Sequence, residues 1–100
     1  MSHLRLWQFE VAPEKESRFV AAYGPEGEWA HLFATAPGFI RTELWRDGDG
    51  IYLTADHWNS FEMFERFQAT YGEQYRRLDA KLEGLAVAET FLGAYDLVEL

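Results

Sequence analysis

One hundred residues suffice for one domain and leave no room for a second, and 48% hydrophobic residues are ample for a single core. Seventeen acidic against nine basic residues give a formal charge of −8, which repels a phosphate backbone, so nucleic acid is not expected as a partner. Without cysteine the chain has no disulfide, thiolate metal site or thiol nucleophile, and no apolar run approaches the ~18 residues of a membrane span.

The start, Met1-Ser2-His3-Leu4-Arg5, lacks a long apolar stretch, and a cytoplasmic protein with no membrane partner is the expectation. The acids, among them Glu14, Glu16, Glu62, Glu65 and Glu73, read as a solvated surface. Aromatic residues make up 17% of the chain, including four Trp, too many for one small core to bury all of them. Some are expected to line a pocket or an interface.

His3 to Val11 alternates as a strand, with Trp7, Phe9 and Val11 on one face and Leu4 and Leu6 on the other, and Pro13 closes it. Helical spacing follows from Glu14 through Phe19, Val20 and Tyr23 and again through Trp29, Leu32, Phe33 and Ala36. Gly24-Pro25-Glu26-Gly27 interrupts it, so a broken helix is predicted. Pro37-Gly38 ends that segment, and Phe39 to Arg46 is a second strand with Phe39, Arg41, Glu43 and Trp45 opposed to Ile40, Thr42, Leu44 and Arg46.

Asp47-Gly48-Asp49-Gly50 supplies residues that tolerate positive φ between two alternating runs, which predicts a β-hairpin. A calcium loop starting at Asp47 would need a bidentate acid at its twelfth position, where Trp58 stands. The returning arm, Ile51 to Trp58, sets Ile51, Leu53, Ala55 and His57 against Tyr52, Thr54, Asp56 and Trp58. Asn59 or Ser60 then caps a helix carrying Phe61, Phe64, Phe67 and Tyr71, continued past Gly72 by Tyr75, Leu78 and Leu82 and stopped near Gly84. Ala86 to Val98 closes the chain as a strand, with Val87, Phe91, Tyr95 and Leu97 opposed to Ala88, Leu92, Ala94 and Val98.

Strand, helix, hairpin, helix, strand is the ferredoxin-like βαββαβ order, an α+β fold with a four-stranded antiparallel sheet and both helices on one face. Both strand faces are apolar, so the face away from the helices needs a cover, and a second copy of the chain is the simplest one. The aliphatic set (Leu4, Leu6, Ile40, Leu44, Ile51, Leu53, Leu92) is expected under the helices. The set mixing aromatics with Arg41, Glu43, Thr54 and Asp56 is expected at the interface, unless a bulge inverts a strand's parity.

Four pieces of sequence carry a resemblance to a known family: Val11-Ala12-Pro13 with Phe19, Pro37-Gly38-Phe39, Trp58-Asn59-Ser60, and Glu89 to Tyr95. Together they resemble the antibiotic biosynthesis monooxygenase-like family of dimeric α/β-barrel proteins, over nearly the whole chain. The family includes cofactor-free oxygenases, haem-degrading enzymes and members with no established role, so the resemblance implies a homodimer and a pocket more firmly than a reaction.

A cofactor-free oxygenase uses a phenol or quinol as its own reductant for dioxygen and must hold a flat ring, take its proton and exclude water. The resemblance makes Trp58 a pocket wall, beside Trp29, Phe33, Phe64 and Phe67, with His57 as the candidate base and no cofactor or metal. Read without the resemblance, Trp58 is a core anchor between strand and helix, and His57 a structural histidine. Haem-degrading relatives carry an Asn on the first strand and an axial His on the second helix. Here Trp7 and Gln68 fall at those positions, so haem is not expected. His3, His31 and His57 have no metal-ligand spacing, and no Ser sits in a Gly-x-Ser-x-Gly turn. A non-catalytic ligand-binding barrel is the alternative. An enclosed cavity reached by a titratable group would favour the enzyme, and a space filled by aromatic side chains would favour the alternative.

Overall fold

The computed structural model describes residues 2–100. The elements run β1 (His3–Glu10), a 3-10 turn (Pro13–Lys15), α1 (Glu16–Tyr23), α2 (Glu28–Ala34), β2 (Phe39–Arg46), β3 (Ile51–Trp58), α3 (Phe61–Lys81) and β4 (Ala88–Asp96). The strands form one antiparallel sheet in the order β2-β3-β1-β4, the ferredoxin-like arrangement in which two crossovers interleave.

The expected local signals act where they fall. Between α1 and α2 the backbone at Gly27 passes so close to Ala22 that a Cβ would lie 2.4 Å from its carbonyl oxygen, so only glycine fits the break. In the hairpin, Asp47 Oδ1 accepts a hydrogen bond from the Asp49 amide at 2.8 Å, which closes the turn. Ser60 caps α3, its Oγ accepting from the Met63 amide at 3.2 Å. Tyr71, just before Gly72, leaves helical geometry (φ −114°, ψ 20°) and kinks α3, and its hydroxyl donates to the Thr35 carbonyl at 3.2 Å.

On β1 and β3 the two sheet faces are exchanged relative to expectation, whereas on β2 Thr42 and Leu44 lie on the helix side as expected. Phe9, Thr42, Tyr52, Thr54, Asp56 and Trp58 are buried beneath the helices, whereas Leu4, Leu6, Ile51 and Leu53 lie on the open face and stay partly exposed. The reason lies in the helices, which present Phe19, Tyr23, Trp29, Phe33, Phe64 and Phe67. These rings pack on the strand aromatics in tilted and edge-on pairs, such as Phe9–Phe19 at 5.2 Å and Phe33–Trp58 at 5.7 Å.

Two bulges complete the difference. The β2–β3 register shifts between Phe39 and Arg41, which puts Phe39 on the helix side with Thr42 and Leu44, and leaves Glu43 and Trp45 on the open side. A second shift, opposite Leu6/Trp7, falls at Leu92-Gly93, where Gly93 has φ +152°. Phe91 consequently packs on Trp7 at 5.1 Å on the helix side, separated from Tyr95 on the open one.

Candidate functional site

Regular alternation of β3 sends Tyr52, Thr54, Asp56 and Trp58 to the helix side, and two polar residues are thereby buried among aromatic rings. The space around them is a chamber of about 60 Å³. Trp7 and Phe9 of β1, Thr42 of β2, and Thr54 and Asp56 of β3 form its floor. Tyr23, Trp29, Phe33 and Tyr75 of the helices form the roof, and Asp79 and Glu89 stand at its mouth. A cleft of about 530 Å³ between the end of α3 and the start of β4 shares Tyr23, Asp79 and Glu89 with the chamber.

Asp56 is the titratable group at the inner end. Burial drives its pKa from 3.8 up to about 6, against the Thr42 hydroxyl, which donates to Oδ1 at 2.7 Å, and the positive charge of Arg5 on the neighbouring strand. Arg5 itself is held by aromatic faces, with Cζ 3.8 Å from the Phe64 centroid and 4.9 Å from that of Phe91. Burial also raises the pKa values of Tyr23 and Tyr75, which stay neutral phenols near pH 7. The indole N–H of Trp29 is buried with no acceptor; Tyr23 lies near enough to feel it, but hydrogen-bond geometry between them is not met.

Three of the eight residues singled out from sequence meet at this chamber: Trp7, Trp29 and Phe33. Trp58 and Phe67 lie behind it in solid packing. Trp58 is fully buried against Phe33, Phe39, Phe64 and Phe67, with ring centroids 5.2 to 5.7 Å away. Phe64 packs between Trp58 and Arg5, outside the chamber wall, and Gln68 is exposed on the outer side of α3. His57 is on the opposite face of the sheet, where Nε2 lies 2.9 Å from Glu43 Oε1. That hydrogen bond, with a weaker one from Arg41, lowers the pKa of Glu43. Because β3 is regular, a residue next to Asp56 and Trp58 must point away from them. Asp56, Thr42, Tyr75, Asp79 and Glu89 were not singled out as site residues. The available signal was two polar residues, Thr54 and Asp56, in phase with Tyr52 and Trp58 on one strand.

Haem does not fit this arrangement. Neither chamber nor cleft is lined by histidine, so their walls offer no axial imidazole to the iron. Titration with haem should give no saturating Soret band at stoichiometric haem. A saturating band that then decays with reductant and oxygen would contradict the geometry.

No curated protein matches the chain. Among solved structures, SnoaB, a cofactor-independent oxygenase from Streptomyces nogalater, superposes with a TM-score of 0.70 at 24% identity, over 99% of this chain and 95% of that one. MhuD, in a structure with two manganese protoporphyrin IX molecules per active site, gives 0.65 at 24% identity over 97% and 95%. Rv0793 from Mycobacterium tuberculosis gives 0.64 at 14% identity over 99% and 100%. At such identities the likeness is one of fold. The sequence pattern of the antibiotic biosynthesis monooxygenase family, however, matches residues 3–81, most of the chain. The chain belongs to the antibiotic biosynthesis monooxygenase family.

Proposed function

We propose that the protein is a small-molecule monooxygenase that oxidises a planar phenol or quinol without metal or flavin, with Asp56 as the base. The observation that carries this reading is a buried carboxyl, poised near pH 6, at the inner end of an aromatic chamber. The leading ring enters between Trp7, Trp29 and Phe33, its hydroxyl meets Asp56, and the rest of the molecule lies toward the outer cleft. Asp56 takes the hydroxyl proton, and the phenolate gives an electron to dioxygen. The radical pair joins at a ring carbon bearing hydrogen, and the resulting hydroperoxide loses water. One oxygen atom stays as the new carbonyl and the other leaves as water, so phenol plus O2 gives quinone plus H2O, with the substrate as the only reductant. Aromatic walls serve this by excluding water from the radical pair.

An oxygen electrode with 1-naphthol tests the reading. Enzyme-dependent uptake of one O2 per 1,4-naphthoquinone formed, without added metal, flavin or reductant, is expected. No uptake across a panel of naphthols and anthrones would leave the non-catalytic ligand-binding barrel in its place.

The proposal includes a homodimer through the open sheet face and a cytoplasmic setting; among the described residues no helix is long and apolar enough to cross a membrane. Leu4, Leu6, Ile51 and Leu53 are only partly covered there, and Trp45 is 59% exposed. A stable pair would bury about 800 Å² on each copy, which a four-stranded face can supply. Sedimentation equilibrium at micromolar concentration should show a dimer. Trp45→Glu should shift it toward monomer, while Val20→Glu, on the exposed side of α1, should not. A wild-type monomer, or equal effects of the two variants, would reject the interface.

A further inference from the structure

Resting on the oxygenase reading, we infer that Thr54 fixes the regiochemistry of that reaction, its hydroxyl holding the incoming oxygen at the ring carbon para to the substrate hydroxyl. A phenol ionised at Asp56 spreads electron density to its ortho and para carbons alike. Oxygenation at either carbon has the same balance, phenol plus O2 giving quinone plus H2O, so the choice must come from how the protein holds the ring and the oxygen. The chamber sets the direction of the ring. Of the residues that β3 presents to the helices, Thr54 and Asp56 line the chamber, and the floor continues over Trp7, the register partner of Thr54, to Phe9. Trp58, on the other side of Asp56, and Arg5 beside it do not line the chamber. A ring whose hydroxyl meets Asp56 therefore lies over Thr54. Two residues apart on one strand face, the two side chains stand about 7 Å apart, a span that para oxygens on one ring bridge with a hydrogen bond at each end.

Thr54 also has its hydroxyl free. The residue is 5% exposed, and among the described residues its Oγ1 makes no hydrogen bond. It is not sealed off as the indole nitrogens of Trp29 and Trp58 are, so it keeps open surface where the residue lines the chamber. Thr42, the other hydroxyl of the floor, is spent on Asp56 Oδ1 at 2.7 Å, and the register partners that flank Thr54, Trp7 and Leu44, are apolar. A buried hydroxyl with no partner in the protein is satisfied by an oxygen of the ligand. The peroxide formed at the para carbon regains, as a hydroperoxide, the one proton removed at Asp56, and its carbon-bound oxygen accepts from Thr54. The O–O bond then breaks and the carbon loses its hydrogen as a proton, whose electron pair completes the new carbonyl. The outer oxygen leaves with that proton as water.

Product analysis of 1-naphthol oxidation by the full chain, beside calorimetric titration with 1,4-naphthoquinone, tests this. Wild type should give 1,4-naphthoquinone in large excess over the 1,2-isomer. Thr54→Val, which keeps the shape and removes the hydroxyl, should lower the 1,4 to 1,2 ratio about tenfold and weaken 1,4-naphthoquinone binding by a similar factor, the loss of one hydrogen bond. Affinity for 1-naphthol, which has no oxygen at that end, should stay within about twofold. Thr54→Ser should restore both the product ratio and the quinone affinity, which a purely structural role for the methyl group would not allow. An unchanged ratio and quinone affinity in Thr54→Val, equal losses for 1-naphthol and the quinone, or a wild type that makes mainly the 1,2-isomer would overturn the inference while leaving the oxygenase reading intact. No oxygen uptake by wild type would overturn the oxygenase reading and this inference with it.

Discussion

Asp56→Asn is expected to stop turnover and, at the same time, to make the fold more stable at alkaline pH relative to wild type. Its carboxyl has a pKa of about 6 in the fold against an ordinary 3.8. A raised pKa means the folded chain holds the proton more tightly than the unfolded one. The contribution is therefore favourable and complete below pH 3.8, declines as pH rises toward 6, and is gone above it. A shift of that size corresponds to about 3 kcal/mol. Asn keeps an oxygen for the Thr42 hydroxyl and has no proton to lose, so the difference between variant and wild type isolates this one group. Urea melts at intervals from pH 4 to pH 8 should show the variant gaining on wild type as pH rises through 4 to 6, by an amount of that order. Parallel curves would mean Asp56 is not a strained acid. On the kinetic side, wild-type oxygen uptake should rise with pH with a midpoint near 6, as the base ionises, and the variant should fall by about 10² to 10⁴-fold. Full activity in the variant would remove Asp56 from the mechanism.

The coupling of these two effects has a physical source. A carboxyl placed among rings costs stability because it has lost its water, and the same loss makes it a better base for a weakly acidic hydroxyl. The Thr42 hydrogen bond and the charge of Arg5 offset part of that cost, enough to keep the group largely ionised at neutral pH. His57 points instead to the open face of the sheet, where its Nε2 lies 2.9 Å from Glu43 Oε1.

The order of elements was legible in the sequence because its signals are local. Gly24-Pro25-Glu26-Gly27 breaks the first helical segment, the Asp-Gly repeat turns the hairpin, and Ser60 caps α3, each within a few residues of its effect. The sheet face was not, because two apolar faces of one strand differ only in what packs on them, and that is decided by α1, α2 and α3. The bulge after Phe39 and the one at Leu92-Gly93 each shift parity by one residue, invisible to a period-2 count. The site inherited this error. Assigning the helix side to aliphatic residues places Asp56 at the interface and leaves as candidate base the neighbouring His57, which a regular strand aims the other way.

Trp58 shows where family resemblance and packing part, and Trp58→Ala should be the most destabilising single truncation at this sheet–helix junction. Its side chain is fully buried, with Phe33, Phe39, Phe64 and Phe67 around it, and it does not border the chamber. Removing it leaves a void bounded by rings that belong to α2, β2 and α3, elements too widely spaced in sequence for a local shift to fill it. Truncation of a buried Trp costs about 3–5 kcal/mol, set against the roughly 5–15 kcal/mol that holds a small domain folded. The indole N–H of Trp58 has no acceptor, so Trp58→Phe discards an unsatisfied donor while retaining much of the volume, and should cost distinctly less, about 1–2 kcal/mol. Denaturant melts of the two variants beside wild type decide the point. If Trp58→Ala melts close to wild type but loses affinity for 1-naphthol, the residue faces ligand and the chamber must extend beyond Phe33. If its midpoint falls steeply, while Trp58→Phe binds 1-naphthol as wild type does, Trp58 holds the wall in place from behind, and Trp7, Trp29 and Phe33 are the rings that touch the substrate.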